Sequence, residues 1–406
     1  MRKLWYSPSL RTIVIYGVSG LGFAGANLIL ARVLPTTEYA LFTLVIALTN
    51  LGYAVAPIGM DGMVNRHRLE AGPRLLKRTL AAGLFTALVF ASIAGFAYHI
   101  DTPLLLLVFA ATVGGGAMAV AAAQFQSEQR YGVSLALTQS SNIVLIVAAF
   151  AVVLTGIMEA LLPLAISALG FVLSGFIGWW VLFGERAVKP HRETRFPYGE
   201  ALSFAGVNSA GLLLVQLDRL IIPQVLTLHE LATFGVLAAI AGSLFRVLAM
   251  GVGYTLLPRL RAAGTVLERR HLIAHEIKLV VAVVIAGSIA IWFLTPWIER
   301  SFLAGKYHLS GSLLLAAIFS GVTKIMNSLS RAGAVALATA SELSVLNWLG
   351  WVSVAVALLA GLIGARWGLA GLMYGVGLGW LMRALTASYL TLRHLRLPES
   401  IPAAVR

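Results

Sequence analysis

Between Asn208 and Gly235 the chain reads NSAGLLLVQLDRLIIPQVLTLHELATFG, apolar enough to lie in lipid yet carrying Asp218 and Arg219 side by side. An ionised side chain near the centre of a bilayer costs at least about 2.5–3.5 kcal/mol on insertion scales, so such residues face a partner helix or a watery cavity. On a helix, Asn208 and Arg219 share a face, Gln216 lies one turn before Arg219, and Asp218 points roughly a quarter-turn away. The simplest division gives Arg219 to a cavity and Asp218 to a neighbouring helix; the alternative swaps the two roles.

Other apolar stretches carry polar stripes of the same kind. Ser320, Lys324, Asn327, Ser328 and Arg331 recur at three- and four-residue spacing, one continuous helical face with two cations. Asn50, Pro57 and Asp61 fall on one face of a predicted span, and Tyr16, Gly20, Asn27 and Arg32 mark another. Arg246 and Arg383 are single cations in otherwise apolar runs. Each has a plain alternative role, as a snorkelling charge or an interhelical hydrogen bond. The sign of the set is more telling: Arg32, Arg219, Arg246, Lys324 and Arg383 stand against Asp61 and Asp218. A cavity lined in this way is net positive, and its natural guest is an anion. Arginine in particular meets phosphate through a planar fork. The candidate substrate-binding set is therefore Arg32, Asn208, Arg219, Arg246, Lys324, Asn327, Arg331 and Arg383, with Asp61 and Asp218 as ion-coupling or structural acids.

Covalent and metal chemistry find little support. The chain has no cysteine, which excludes disulfides, thiol nucleophiles and Cys-based metal sites. All eight histidines fall in or beside predicted connections; His271 and His275 have i, i+4 spacing but lie outside any H-E-x-x-H motif. No P-loop lysine motif and no carboxylate pair placed for acid–base work is present. The expectation is a non-enzyme with no catalytic residue, no metal and no cofactor.

The elements that position these residues are membrane spans. Of 406 residues, 59% are hydrophobic and 11% charged, far below the roughly 25% charged of soluble proteins. Apolar segments of about 20 residues, enough to cross the hydrocarbon core, number twelve, at about 11–34, 40–64, 79–100, 103–126, 133–155, 160–184, 200–222, 232–257, 278–297, 311–333, 342–364 and 367–391. Lys and Arg crowd the first end, the tail and alternate connections, among them 65–78, 185–199 and 258–278. The intervening connections hold only Arg300, Lys306 and Arg366. The positive-inside rule puts both termini in the cytoplasm. The net charge of +14 is then read as topology plus attraction to anionic lipids, not as nucleic-acid binding.

An internal repeat supports two halves. Val33–Phe42 (VLPTTEYALF) aligns without gaps with Val225–Phe234 (VLTLHELATF), and both join the first and second spans of a six-span half. The expected architecture is an all-α polytopic membrane protein with lobes at 1–190 and 191–406. The two would be related by a pseudo-two-fold along the membrane normal, with a central cleft between them.

Motifs along nearly the whole chain carry a family resemblance: Leu30-Ala31-Arg32-Val33-Leu34-Pro35 with Glu38-Tyr39, Gly59-Met60-Asp61-Gly62-Met63-Val64-Asn65-Arg66, Gln216-Leu217-Asp218-Arg219-Leu220-Ile221-Ile222, Leu257-Pro258-Arg259-Leu260 and Gly305-Lys306-Tyr307. In order and spacing they resemble the bacterial polysaccharide-export flippases, the O-antigen transporter type of the MATE/polysaccharide-flippase superfamily. The resemblance implies twelve spans in two six-helix lobes around a V-shaped central cavity, and movement of undecaprenyl-pyrophosphate-linked oligosaccharide from the cytoplasmic to the periplasmic leaflet of the bacterial inner membrane, by alternating access. Surface lipopolysaccharide or exopolysaccharide would be the product. It further implies a proton or sodium gradient as the drive, and a polysaccharide polymerase and chain-length regulator as partners. The alternatives are a MATE-like drug or cation antiporter, which would want uncompensated acids deep in the spans, and a membrane-embedded glycan ligase or polymerase. The latter would bring a substantial outer loop, where this chain has short ones.

Overall fold

The computed structural model describes residues 8–67, 72–185, 198–245, 256, 259–260 and 263–396, and every regular element among them is helical. The elements are α1 (Pro8–Val33), α2 (Thr36–Val55), α3 (Met60–His67), α4 (Pro73–Tyr98), α5 (Thr102–Ser127), α6 (Tyr131–Thr155), α7 (Leu161–Glu185), α8 (Tyr198–Val225) and α9 (Leu228–Leu237). They continue with α10 (Val266–Trp297), α11 (Gly311–Leu337), α12 (Ala340–Gly364) and α13 (Gly368–Arg396). Helices α9 and α10 each widen into a π-turn at their C-terminal ends, Ala238–Gly242 and Ile298–Phe302. Ten helical segments among the described residues are long and apolar enough to cross a membrane; the last, Ser341–Arg396, takes in both α12 and α13.

Helix ends follow local chemistry. Pro73 and Pro103 occupy the first turns of α4 and α5, where a missing N–H costs nothing. His99 (φ 52°) and Gly156 (φ 69°) end α4 and α6 in the left-handed conformation. Thr227 with Glu230, and Thr339 with Glu342, form capping boxes at the starts of α9 and α12. The repeat seen in the sequence recurs as geometry. One helix stops at Val33 and the next starts at Thr36; one stops at Val225 and the next starts at Leu228, at the same offset. The equivalent glutamates do different work: Glu230 caps its own helix, whereas Glu38 accepts the Ala160 N–H at 2.7 Å ahead of α7.

Two expected boundaries are corrected. The span placed at 40–64 ends at Val55, because Ile58 (φ 45°) and Gly59 (φ 78°) turn the chain. Asp61 therefore sits on the separate short helix α3, and Asn50, Pro57 and Asp61 do not share a helical face. Gly59 is required twice over: its φ is positive, and a Cβ there would collide with the Ala201 carbonyl of α8. The span placed at 79–100 begins at Pro73, so Arg74, Lys77 and Arg78 belong to the first two turns of α4 and not to a loop.

The chain packs as two compact units. The first is Leu21–Ala239. Its central helix is α5, whose Gly114-Gly115-Gly116 run admits the Val172 backbone of α7 and the Tyr53 and Ala56 side chains of α2. This is the close packing expected of small residues in lipid. Trp179 on α7 donates its indole N–H to the Ala117 carbonyl at 3.0 Å, within a core that includes Met60, Met63, Phe125 and Phe171. Tyr98 donates to the Leu220 carbonyl (2.9 Å) and Gln224 to the Ala97 carbonyl (2.7 Å), tying the end of α4 to α8.

The second unit is Ile240–Arg406 with the residues up to Gly20. Helix α13 presents Gly371, Gly375 and Gly379, four residues apart, to α12. A Cβ on any of them would run into the backbone of Gly364, Ala360 or Ser353, so the two antiparallel helices touch main chain to main chain. On its other side α13 meets α11. Gly377 faces Phe319, Trp380 faces Lys324, and Ser388 bonds Ser330 at 2.6 Å. Positions rise together on both helices, so α11 and α13 run parallel.

Candidate functional site

Asp218 and Arg219 differ in burial on α8. Asp218 is 2% exposed and Gln216 is buried. Arg219 is half-buried; its Nη1 donates to Gln216 Oε1 at 2.7 Å, and its guanidinium lies 5.9 Å from the centroid of the Phe234 ring. Phe234 reaches it because the break at Leu226–Thr227 lays α9 back along the chain that precedes it. Arg32, at the end of α1, is exposed. Asp61 is half-buried on α3, outside the spans; burial pushes its carboxyl above the ordinary range, and backbone N–H bonds from Gly62 and from itself pull it back. The side chain of Asn208 and the whole of Arg246 lie outside the described residues.

Within the second unit the structure brings four predicted residues together along the α11–α13 seam. Lys324 places its ammonium 5.7 Å from the centroid of the Trp380 ring. Asn327 and Arg383 are buried, and Arg331, one turn beyond Asn327, is exposed. Trp380 and Gly350 belong to this constellation and were missed by charge-based reading. The available signal was the one-turn spacing of Trp380 and Arg383 on a helix that also carries a four-residue glycine stripe. A Cβ at Gly350 on α12 would stand 3.7 Å from the Arg383 guanidinium, so this helix forms its wall without crowding it.

Some of the basic residues assigned to connections have protein partners as well as a topological role. Arg66 pairs with Glu200 at 2.8 Å, Arg259 with the buried Glu276 at 2.7 Å, and Arg270 donates to the Leu395 carbonyl. Among the described residues no group of three or more His, Asp or Glu side chains is placed to hold a metal ion. The chemistry available at the two sets of polar residues is recognition of charge within apolar helices.

Against solved structures, the chain is similar over nearly its whole length to the lipid II flippase MurJ in an inward closed conformation. The TM-score is 0.64 at 11% identity, covering 93% of this chain and 86% of that one. It is similar to a MATE transporter in the straight conformation, with TM-score 0.60 and 14% identity over 95% of each chain. An outward-facing multidrug resistance MATE family transporter of the MOP superfamily matches with TM-score 0.52 and 11% identity over 97% of each. The chain shares the fold of these solved structures. No family model and no curated protein matches the sequence. That fold, with ten helical segments among the described residues long and apolar enough to cross a membrane, makes this a multi-pass membrane protein, and it puts α8, α11 and α13 in the class of elements whose polar residues must be satisfied inside protein or in a hydrated cavity.

Proposed function

We propose that this protein is a flippase that moves a lipid-linked, phosphate-bearing oligosaccharide across the bacterial cytoplasmic membrane for surface polysaccharide assembly. Undecaprenyl-pyrophosphate-linked glycan is the passenger on this reading. Twelve spans in two six-helix lobes, divided in the connection near residue 190, would alternate access to a central cavity, with both termini cytoplasmic. The lobe junction itself lies outside the described residues. The reading is carried by the sign of the intramembrane charges: Arg32, Arg219, Lys324, Arg331 and Arg383 lie on apolar helices that carry, once Asp61 is assigned to α3, the single buried aspartate Asp218 among the described residues. A drug-cation exporter would have the opposite need. A polysaccharide polymerase and a chain-length regulator are the expected partners, and a proton or sodium gradient the expected drive.

Asp218 favours a second reading. A carboxylate that is 2% exposed on a spanning helix is the feature a cation-coupled exporter would use, and the MATE structures cover as much of the chain as MurJ does. The two separate in one experiment. Arg219→Ala and Lys324→Ala, each confirmed for membrane expression, are tested in the native host for surface glycan and for lipid-linked precursor on the inner leaflet. Loss of glycan with accumulation of precursor is expected in both; normal export in both defeats the assignment. Drug sensitivity of the same strains, with glycan intact, would favour the exporter.

A further inference from the structure

The sequence of the unit Ile240–Arg406, with the residues up to Gly20, contains no aspartate and five glutamates: Glu268, Glu276, Glu299, Glu342 and Glu399. Four of these are engaged away from the α11–α13 seam. Glu268 accepts the Gly264 N–H at 3.0 Å at the start of α10, and Glu276 pairs with Arg259. Glu299 accepts the Leu309 N–H at 3.2 Å, and Glu342 closes its capping box and meets His394 at 2.8 Å. Glu399 lies outside the described residues. Among the described residues, Arg331 and Arg383 make no ion pair and their guanidinium groups no hydrogen bond, and the register of α11 on α13 sets them on neighbouring turns of the seam.

Arg383 is only 9% exposed. A guanidinium does not shed its proton, so it cannot escape burial by becoming neutral. A buried charge with no counter-charge is among the costliest arrangements in a protein. Its surroundings hold further unanswered polar groups. Arg383 Nη1 and the Trp380 indole N–H are buried donors with no acceptor, and Asn327, 7% exposed, has a buried amide oxygen with no donor. Amide oxygen and nitrogen exchange by a simple flip, so Asn327 can present a third donor. The parallel register of α11 and α13 puts all of these within about two turns, with Arg331 on the accessible side.

We propose that Arg383 and Arg331, with the Trp380 indole N–H and the Asn327 amide, form a binding site for a phosphate-class oxyanion in the α11–α13 seam. Several donors and two planar forks suit a guest with several oxygens better than a monatomic halide. The site deepens the proposed function and rests on it for its biological use, as the place that holds the phosphate of the passenger. The binding itself is measurable without transport.

The test is thermal unfolding of the purified protein in detergent, titrated with inorganic phosphate at constant ionic strength and compared with chloride. The midpoint should climb with phosphate, as for any ligand that binds only the folded state, and stay flat with chloride. Arg383→Gln should lose the phosphate response while being at least as stable as the wild type in phosphate-free buffer, because it removes an uncompensated charge; a residue with a merely structural role would lose stability there. Arg331→Gln, at an exposed position, should weaken phosphate binding by about tenfold or more, and reports if the Arg383 variant does not fold. Equal responses to phosphate and chloride, or a wild-type response in either variant, overturn the site. Nanodiscs with and without phosphatidylglycerol identify the source. A free-phosphate response abolished by the anionic lipid points to a headgroup, and one that is unchanged points to soluble phosphate; both require the site. A wild-type phosphate response alongside defective glycan export in Arg383→Gln would remove the site and leave the flippase standing. A lost response with normal export would do the reverse.

Discussion

At the scale of single residues, Arg219 and Lys324 meet their neighbours in two ways, one within a helix and one across two. Gln216 was legible as the neighbour of Arg219, because one turn of helix fixes that contact whatever surrounds it. Trp380 was not, because it reaches Lys324 across two helices whose register is set by packing alone. Asp61 was misplaced for a related reason. Hydropathy averages over a window and does not register the turn at Ile58-Gly59, where two residues with positive φ end the span. Replacing Gly59 with alanine should cost about 1–3 kcal/mol through backbone strain, with the collision against the Ala201 carbonyl in addition. Gly206→Ala on the same α8, where a Cβ would meet nothing within 4 Å, is the neutral control, and detergent melting of both variants is the measurement. Asp61 itself carries a pH signature. Its folded-state pKa is raised, so its contribution to stability is fully present below the ordinary carboxylate range and is lost as pH rises through the folded value. Asp61→Asn should therefore melt higher than the wild type near neutral pH, with the gap closing in acid.

At the scale of elements, composition and periodicity located nearly every helix, because a 20-residue apolar run has few other fates. What they could not supply was helix pairing. The stripe Gly371, Gly375, Gly379 is visible in the sequence as a four-residue repeat, yet only the structure assigns it to α12 and leaves the opposite side of α13 for α11. Gly375→Val should push α12 from α13 and reduce the yield of folded protein in detergent chromatography, whereas Gly25→Ala, with open space around it, should not. The equal offset of the breaks at Val33–Thr36 and Val225–Leu228 gives the short sequence repeat a physical meaning. A helix–proline–helix corner in one copy is a helix–Thr-cap–helix corner in the other, so the geometry persists although the residues that make it have changed.

At the scale of the whole molecule, the two units differ in their supply of carboxylates, and that difference bears on energy coupling. Protons and sodium ions are handed over by acids. In Ile240–Arg406 each described glutamate is tied to a helix end or to an arginine, and no aspartate exists to replace it. On the proposed function, a cation gradient would act in Leu21–Ala239, at the buried Asp218. Asp218→Asn should abolish the dependence of transport on the proton or sodium gradient in reconstituted vesicles, and Glu342→Gln should leave it intact. The glutamate that starts α12 thus has a consequence beyond local stability. Committed to its own helix end and to His394, Glu342 is not available in that unit to answer a cation, which on the proposed function leaves coupling to the unit that holds Asp218.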